Sequence, residues 1–223
     1  MTPAAIAPRI DVISDVICPW CYIGKRQLER ALALLEPQGL KFQVAWHPFQ
    51  LNPDMPPEGT DRLQYRIAKF GSLEKSQQLD ARISETAATL GLDFHLDRLT
   101  RTPNTVAAHR TIWLAGQHGV QDAVVEAIFE AYFCQGADLT NTEFLTTVAA
   151  QAGIEREVMT EMFATDLGMD VVLQGDAGAR SGGISGVPSF LMGGYLLFSG
   201  AVPAEQMAEA FAHAWKVLNA QAA

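Results

Sequence analysis

Arg9-Ile10-Asp11-Val12-Ile13-Ser14-Asp15-Val16-Ile17-Cys18-Pro19-Trp20-Cys21-Tyr22-Ile23-Gly24 is the stretch on which the reading of the whole chain turns. Its first six residues form a short apolar run and predict a strand. Residues 22–36 carry Leu28, Ala31, Leu32 and Leu35 on one helical face and predict an amphipathic helix. The two cysteines therefore fall at a strand-to-helix junction. The first turn of a helix offers unpaired N–H groups and the positive end of the helix dipole, and both favour a thiolate over a thiol. Cys18 is read as the nucleophile. Pro19 suits the first helical position, where its missing N–H costs nothing. Cys21 lies one turn on, close enough to close a disulfide with Cys18, and is read as the resolving thiol.

Working outward, Pro37-Gln38-Gly39 is a stop-and-turn signal, and residues 40–46 alternate with Phe42, Val44 and Trp46 on one face. Strand, helix and strand with short connections predict a right-handed βαβ unit with parallel strands. Asn52-Pro53, Pro56-Pro57 and Gly59 mark residues 48–59 as an exposed connector. From there to Gly183 the signals are almost all helical. Thr60 is a candidate cap for a helix ending at Gly71, and Ser72 for one closed by Gly91. Thr140-Asn141-Thr142-Glu143 reads as a capping box. Residues 188–192 and 195–198 flank Gly193-Gly194 and predict a hairpin. A final helix carries Met207, Phe211 and Trp215 as its apolar stripe. The sum is βαβ, a helical insert of about 120 residues, long enough to have a core of its own, then ββα.

Composition narrows the function. Nearly half of the 223 residues are apolar, 18% are charged and the net charge is −9. That balance predicts a globular chain without the basic patch of a nucleic-acid binder. No run is apolar enough to span a membrane. The opening Met1-Thr2-Pro3-Ala4-Ala5-Ile6-Ala7-Pro8 lacks the basic start and apolar run of a secretory signal, so a cytoplasmic location is expected. Three cysteines are too few for a disulfide scaffold, and Cys134 with five scattered histidines supplies no second half of a zinc site. No metal and no bound cofactor is expected. Cys134 is read as an apolar packing residue, and His47 and His109 as packed or solvated histidines. Asp15, three residues before Cys18, is a candidate proton relay for the resolving thiol. The alternative is a solvated or capping carboxylate.

These residues carry a resemblance. Asp15-Val16-Ile17-Cys18-Pro19-Trp20-Cys21-Tyr22-Ile23-Gly24-Lys25, Trp46-His47-Pro48-Phe49-Gln50-Leu51-Asn52-Pro53, Arg101-Thr102-Pro103-Asn104-Thr105 with His109-Arg110, Ala131-Tyr132-Phe133, and Gly183-Ile184-Ser185-Gly186-Val187-Pro188 together resemble the DsbA-like thiol–disulfide oxidoreductases, and within them the FrnE-type subgroup. The resemblance implies an α/β thioredoxin-like fold built from residues 1–58 and 183–223, with a helical domain inserted at 59–182. It implies that Pro188 is the family's cis-proline, whose loop faces the CxxC and leaves the Val187 backbone free to pair with an extended substrate. It also implies that Pro103-Asn104-Thr105 overhangs the redox site, so Asn104 is a candidate groove residue beside Pro19, Trp20, Val187 and Pro188. Trp20 and Phe49 are expected to lend the groove apolar character.

The implied activity is dithiol–disulfide exchange on a protein, a peptide or glutathione. DsbA, which the chain resembles, has a histidine between its cysteines. Here Trp20 takes that place, and without an imidazolium beside Cys18 a more reducing couple is expected. The alternative is a glutathione-dependent isomerase or transferase. The 2-hydroxychromene-2-carboxylate isomerases and kappa-class glutathione transferases resemble this architecture but place a serine at the position of Cys18. Possession of both cysteines favours the redox reading.

Overall fold

The computed structural model describes residues 8–222; the N-terminal stretch read above for a secretory signal lies, apart from Pro8, outside the described residues. β1 (Arg9–Ser14) leads into α1 (Pro19–Leu35), and β2 (Gln43–Pro48) returns parallel to β1. A second, two-stranded ribbon pairs β3 (Thr60–Asp61) with β4 (Arg101–Thr102), and between them lie α2 (Arg62–Phe70) and α3 (Leu73–Ala88). Then come α4 (Val106–Gln117), α5 (Gln121–Glu130) with a π-helical turn over Ala131–Gln135, α6 (Thr142–Gln151), α7 (Arg156–Ala164) and α8 (Met169–Ser181). β5 (Ser189–Met192), β6 (Tyr195–Ser199) and α9 (Ala204–Ala222) complete the chain.

The main sheet has the order β2-β1-β5-β6, with β5 antiparallel to both neighbours. This is the expected mixed α/β fold, with the helices inserted after the βαβ unit. The β5–β6 turn needs two residues with positive φ, which Gly193 (59°) and Gly194 (82°) supply. Ile10 and Val12 of β1 are fully buried and share one apolar cluster with Leu28 and Ala31 of α1 and Met207 and Phe211 of α9. That same cluster continues through Val124 and Ile128 of α5, Leu145 of α6 and Met159 of α7. The helical insert, long enough for a core of its own, shares one with the sheet.

Several local expectations shift. β2 starts at Gln43 rather than Leu40. Asp61 caps α2, accepting from the Gln64 amide, because Thr60 is drawn into pairing with Thr102. Asn141 caps α6, accepting from the Glu143 and Phe144 amides, while Thr140 is held by the Asp138 side chain. The connector after β2 is also less exposed than its Pro/Gly punctuation suggested. Phe49 and Gln50 are buried, with the Gln50 amide bound to Asp176 of α8 at 2.8 Å and the Arg180 guanidinium 4.2 Å from the Phe49 ring centre. Gly59 (φ 70°) lies so close to β4 that a Cβ would sit 2.5 Å from the Thr102 carbonyl oxygen. Proline and glycine mark the absence of regular structure; burial depends on what packs over it.

Candidate active site

β1 ends at Ser14, and three residues turn the chain into α1. The turn is closed by Cys18 N–H donating to the Asp15 carbonyl at 3.0 Å and Cys21 N–H to the Cys18 carbonyl at 2.9 Å. Cys18 occupies the N-cap with extended backbone, and Pro19 follows at the start of the helix. Both cysteines are free thiols, with Cys18 5% exposed and Cys21 fully buried one turn below. Burial pushes the Cys21 thiol well above the ordinary range, and contact with Cys18 pushes the same way; the Ser14 side chain and the Asp15 backbone oppose them. The pair is thus asymmetric: an outer sulfur at the helix start and an inner one that holds its proton.

The outer sulfur meets the loop before β5. Cys18 Sγ donates to the Val187 carbonyl at 3.5 Å, and the Val187–Pro188 peptide is cis. Pro188 itself is buried against α1, where a Cβ on Gly24 would come within 2.9 Å of the proline Cγ. Gly24 thereby sets how closely the Val187 loop approaches Cys18. The spacing of Gly24 in a helix carries no such message in the sequence.

In front of Cys18 opens a cavity of about 380 Å³. Cys18, Pro19, Trp20, Gly186 and Val187 form one side of its lining, and α2 and α3 supply Arg62, Tyr65, Arg66, Lys69, Asp80 and Ile83. Tyr132 and Phe133 of the π-helical turn also line it. Trp20 stands at the rim, 41% exposed. The α2 side chains belong to the cavity although nothing in the sequence singled them out. Conversely, Asn104 is not part of the cavity lining. Its amide nitrogen donates to the Met55 carbonyl at 2.6 Å and its oxygen accepts from the Val106 amide at 2.9 Å, so it clamps the connector and opens α4, while Thr102 two residues earlier lines the cavity. Phe49, expected to add apolar surface, is buried beneath Arg180.

Asp15 is fully buried behind the junction. Its Oδ2 accepts from the Leu51 amide at 2.7 Å, and its Oδ1 lies 3.4 Å from His109 Nε2, which is also 3.2 Å from the Phe49 carbonyl. In the sequence His109 looks like any packed helical histidine; the fold puts it against Asp15. Among the described residues no hydrogen bond joins the Asp15 carboxylate to either sulfur. Cys134 sits half-buried in the π-helical turn, its thiol pushed up by burial and by Glu130.

α1 is anchored at its other face. Lys25, 2% exposed, meets Glu126 at 3.0 Å and Asp122 at 3.1 Å, and Tyr22 donates to Glu126 at 2.8 Å. Trp46 Nε1 of β2 donates to Asp122 at 3.0 Å. These contacts hold the helix that carries the cysteines against α5. No helix among the described residues is long and apolar enough to cross a membrane.

Known proteins share the fold. The chain is 30% identical to the "probable DsbA oxidoreductase" of Streptomyces coelicolor, over 94% of this chain and 90% of that one, with a TM-score of 0.83. It is 14% identical to a 2-hydroxychromene-2-carboxylate isomerase (96% and 98% covered, TM-score 0.66) and 16% identical to the cytosolic disulfide reductase DsbM from Pseudomonas aeruginosa, solved with glutathione (95% and 99% covered, TM-score 0.60). The last two likenesses concern the fold alone. The profile of the DSBA-like thioredoxin domain matches residues 9–212, nearly the whole chain, and with Cys18, Cys21 and the Val187–Pro188 loop gathered at one end of the sheet the protein belongs to the DSBA-like thioredoxin domain family.

Proposed function

We propose that this protein is a dithiol–disulfide oxidoreductase in which Cys18 attacks and Cys21 resolves. The observation that carries the reading is the placement of Cys18 Sγ at the start of α1, facing a cavity and 3.5 Å from the Val187 carbonyl, with the buried thiol of Cys21 one turn below. The Cys18 thiolate attacks one sulfur of a substrate disulfide. That S–S bond breaks, its electron pair leaves with the departing sulfur, and a mixed disulfide remains on Cys18. Cys21 then gives up its proton and attacks Cys18. The mixed disulfide breaks, the Cys18–Cys21 disulfide forms and the second substrate thiolate leaves. Two electrons have passed to the substrate, and a thiol donor returns them to the protein.

Pro19, Trp20, Val187 and Pro188 shape the approach to Cys18, and Asp15 with His109 is the proposed acceptor of the Cys21 proton through an intervening water. The exchange suits a protein, peptide or glutathione disulfide. The direction in which it runs depends on the thiol poise of the compartment. A glutathione-dependent isomerase has the same fold but no use for a resolving thiol, so the buried Cys21 weighs against it.

The test is equilibration of the purified protein in glutathione buffers of graded ratio, with alkylation and mass measurement of the Cys18–Cys21 pair. A two-electron transition with a Cys18–Cys21 disulfide is expected. Accumulation of only a glutathione adduct on Cys18, with no internal disulfide, would overturn the proposal.

A further inference from the structure

The cavity in front of Cys18 is positively charged in a chain whose net charge is −9. Arg62, Arg66 and Lys69 lie on one face of α2, spaced three and four residues apart. Against these three cations the lining contains a single carboxylate, Asp80 of α3. Asp80 bridges the guanidiniums, taking Arg62 Nη2 at 2.8 Å on one oxygen and Arg66 Nη2 at 2.6 Å on the other. Arg66 is held further by Ser76, whose hydroxyl accepts from Nε at 2.6 Å, and its guanidinium stands 4.6 Å from the Phe70 ring centre. Lys69 Nζ donates to the Tyr65 hydroxyl at 2.6 Å and is paired with no carboxylate among the described residues.

The guanidiniums are mostly buried, Arg62 15% and Arg66 14% exposed, so their charge is weakly screened by water. Desolvation makes Arg66 harder to keep charged, lowering its pKa despite Asp80. A second carboxylate at this wall would offset that cost, and burial beside low-dielectric walls strengthens its attraction. The wall faces Cys18 across the same space, whose volume of about 380 Å³ falls in the range of small-molecule sites.

We infer that the Arg62–Arg66–Lys69 face is an anion subsite selecting small disulfides and thiols that carry a carboxylate near the sulfur. The inference rests on the dithiol–disulfide reading and names the substrate class of that site. Glutathione, with two carboxylates, is one such molecule. A carboxylate held by Arg62 and Lys69 orients the substrate sulfur toward Cys18, and a cationic disulfide is repelled by the same groups.

The test compares three small disulfides matched in size: anionic dithiodiglycolate, neutral bis(2-hydroxyethyl) disulfide and cationic cystamine. For the wild-type protein, kcat/KM should fall in that order, and the anionic-to-cationic ratio should shrink as salt is raised. Arg62→Gln should lower the ratio by about ten- to a hundredfold, the loss expected for one charged hydrogen bond. Lys69→Gln, on an exposed side chain that does not hold the fold, should lower it in the same direction. Binding of dithiodiglycolate to the Cys18→Ser, Cys21→Ser protein is measured in parallel by calorimetry and should weaken with either substitution. Turnover without charge preference, or a preference unaltered by Arg62→Gln and Lys69→Gln, would overturn the subsite. If no disulfide is turned over but Arg62-dependent binding persists, the redox reading fails and the anion subsite stands.

Discussion

The Sγ of Cys18 lies 3.5 Å from the carbonyl oxygen of Val187, a residue 169 positions further along the chain. The contact joins the start of α1 to the loop before β5. It puts the candidate nucleophile beside a backbone acceptor able to align an extended substrate. Its closeness depends on Gly24, which lets Pro188 lie directly on α1.

Gly24→Ala should therefore be destabilising although alanine is the better helix former. The added methyl meets Pro188 Cγ at 2.9 Å, with Phe190 3.6 Å away. Overpacking a tight site costs about 1–3 kcal/mol, more than the gain of about 1 kcal/mol in helix propensity. The expected result is a lower midpoint in urea together with slower attack of Cys18 on a model disulfide. A more stable variant with unaltered exchange would contradict the packing argument.

The buried Cys21 sets a pH dependence. Its pKa is raised, chiefly by burial. Only the thiolate resolves a mixed disulfide, and below the raised value its fraction grows about tenfold per pH unit. With a mixed disulfide preformed on Cys18, the rate of release should climb past pH of about 8.5, where an ordinary cysteine would level off. A plateau at that ordinary value, seen in stopped-flow release of a chromogenic thiol, would show that Cys21 is not held protonated. The sign for stability follows. The reduced folded state binds the Cys21 proton more tightly than the unfolded chain. This contribution is fully present below the unfolded pKa and is lost as pH rises through the folded one.

Asp15→Asn separates two roles for the carboxylate. As proton acceptor, its loss should slow the resolving step by about a hundredfold or more while sparing the first attack by Cys18. As a clamp on the Leu51 amide, 2.7 Å away, its replacement should lower the melting temperature and leave resolution unchanged. The expected outcome is slowed resolution, read from single-turnover kinetics alongside thermal unfolding.

Glu126 should govern acid stability. Burial pushes its pKa up, but hydrogen bonds from Arg26, and then Lys25 and Tyr22, outweigh burial and hold it below the usual carboxylate range. A depressed folded pKa contributes stability that is present above the unfolded value of about 4.3 and lost as pH falls through the folded one. Wild-type protein should lose stability across that interval, and Glu126→Gln should flatten the loss. At neutral pH the variant should be less stable by about 1–3 kcal/mol, since the buried Lys25 and Tyr22 lose a charged partner. Denaturant melts at graded pH check both statements.

Much of this protein was legible from local rules. The parallel β1–β2 pair, the Gly193-Gly194 hairpin and the helical stops at Gly71 and Gly91 follow from spacing and from backbone requirements that neighbours in sequence impose. Caps slipped by a residue where another bond competed: Thr60 was drawn into β3, and Asn141 outdid Thr140. The candidate site was only half legible. Cys18 and Cys21 announce themselves by their position at a strand-to-helix junction. Arg62, Arg66 and Lys69 look like the polar side of any amphipathic helix, and His109 like any helical histidine.

The chain by itself determined the order of elements, the dithiol at the helix start and the resemblance to a redox family, because each rests on residues a few positions apart. Tertiary structure decided what surrounds those thiols. It brought Val187 to Cys18, sealed Cys21 from water, set His109 against Asp15, tied Asn104 to the Met55 carbonyl and lined the cavity with Arg62, Arg66 and Lys69. Those relations join residues tens to hundreds of positions apart. Their distances, and with them burial and charge, exist only once the chain has folded and brought those distant segments together.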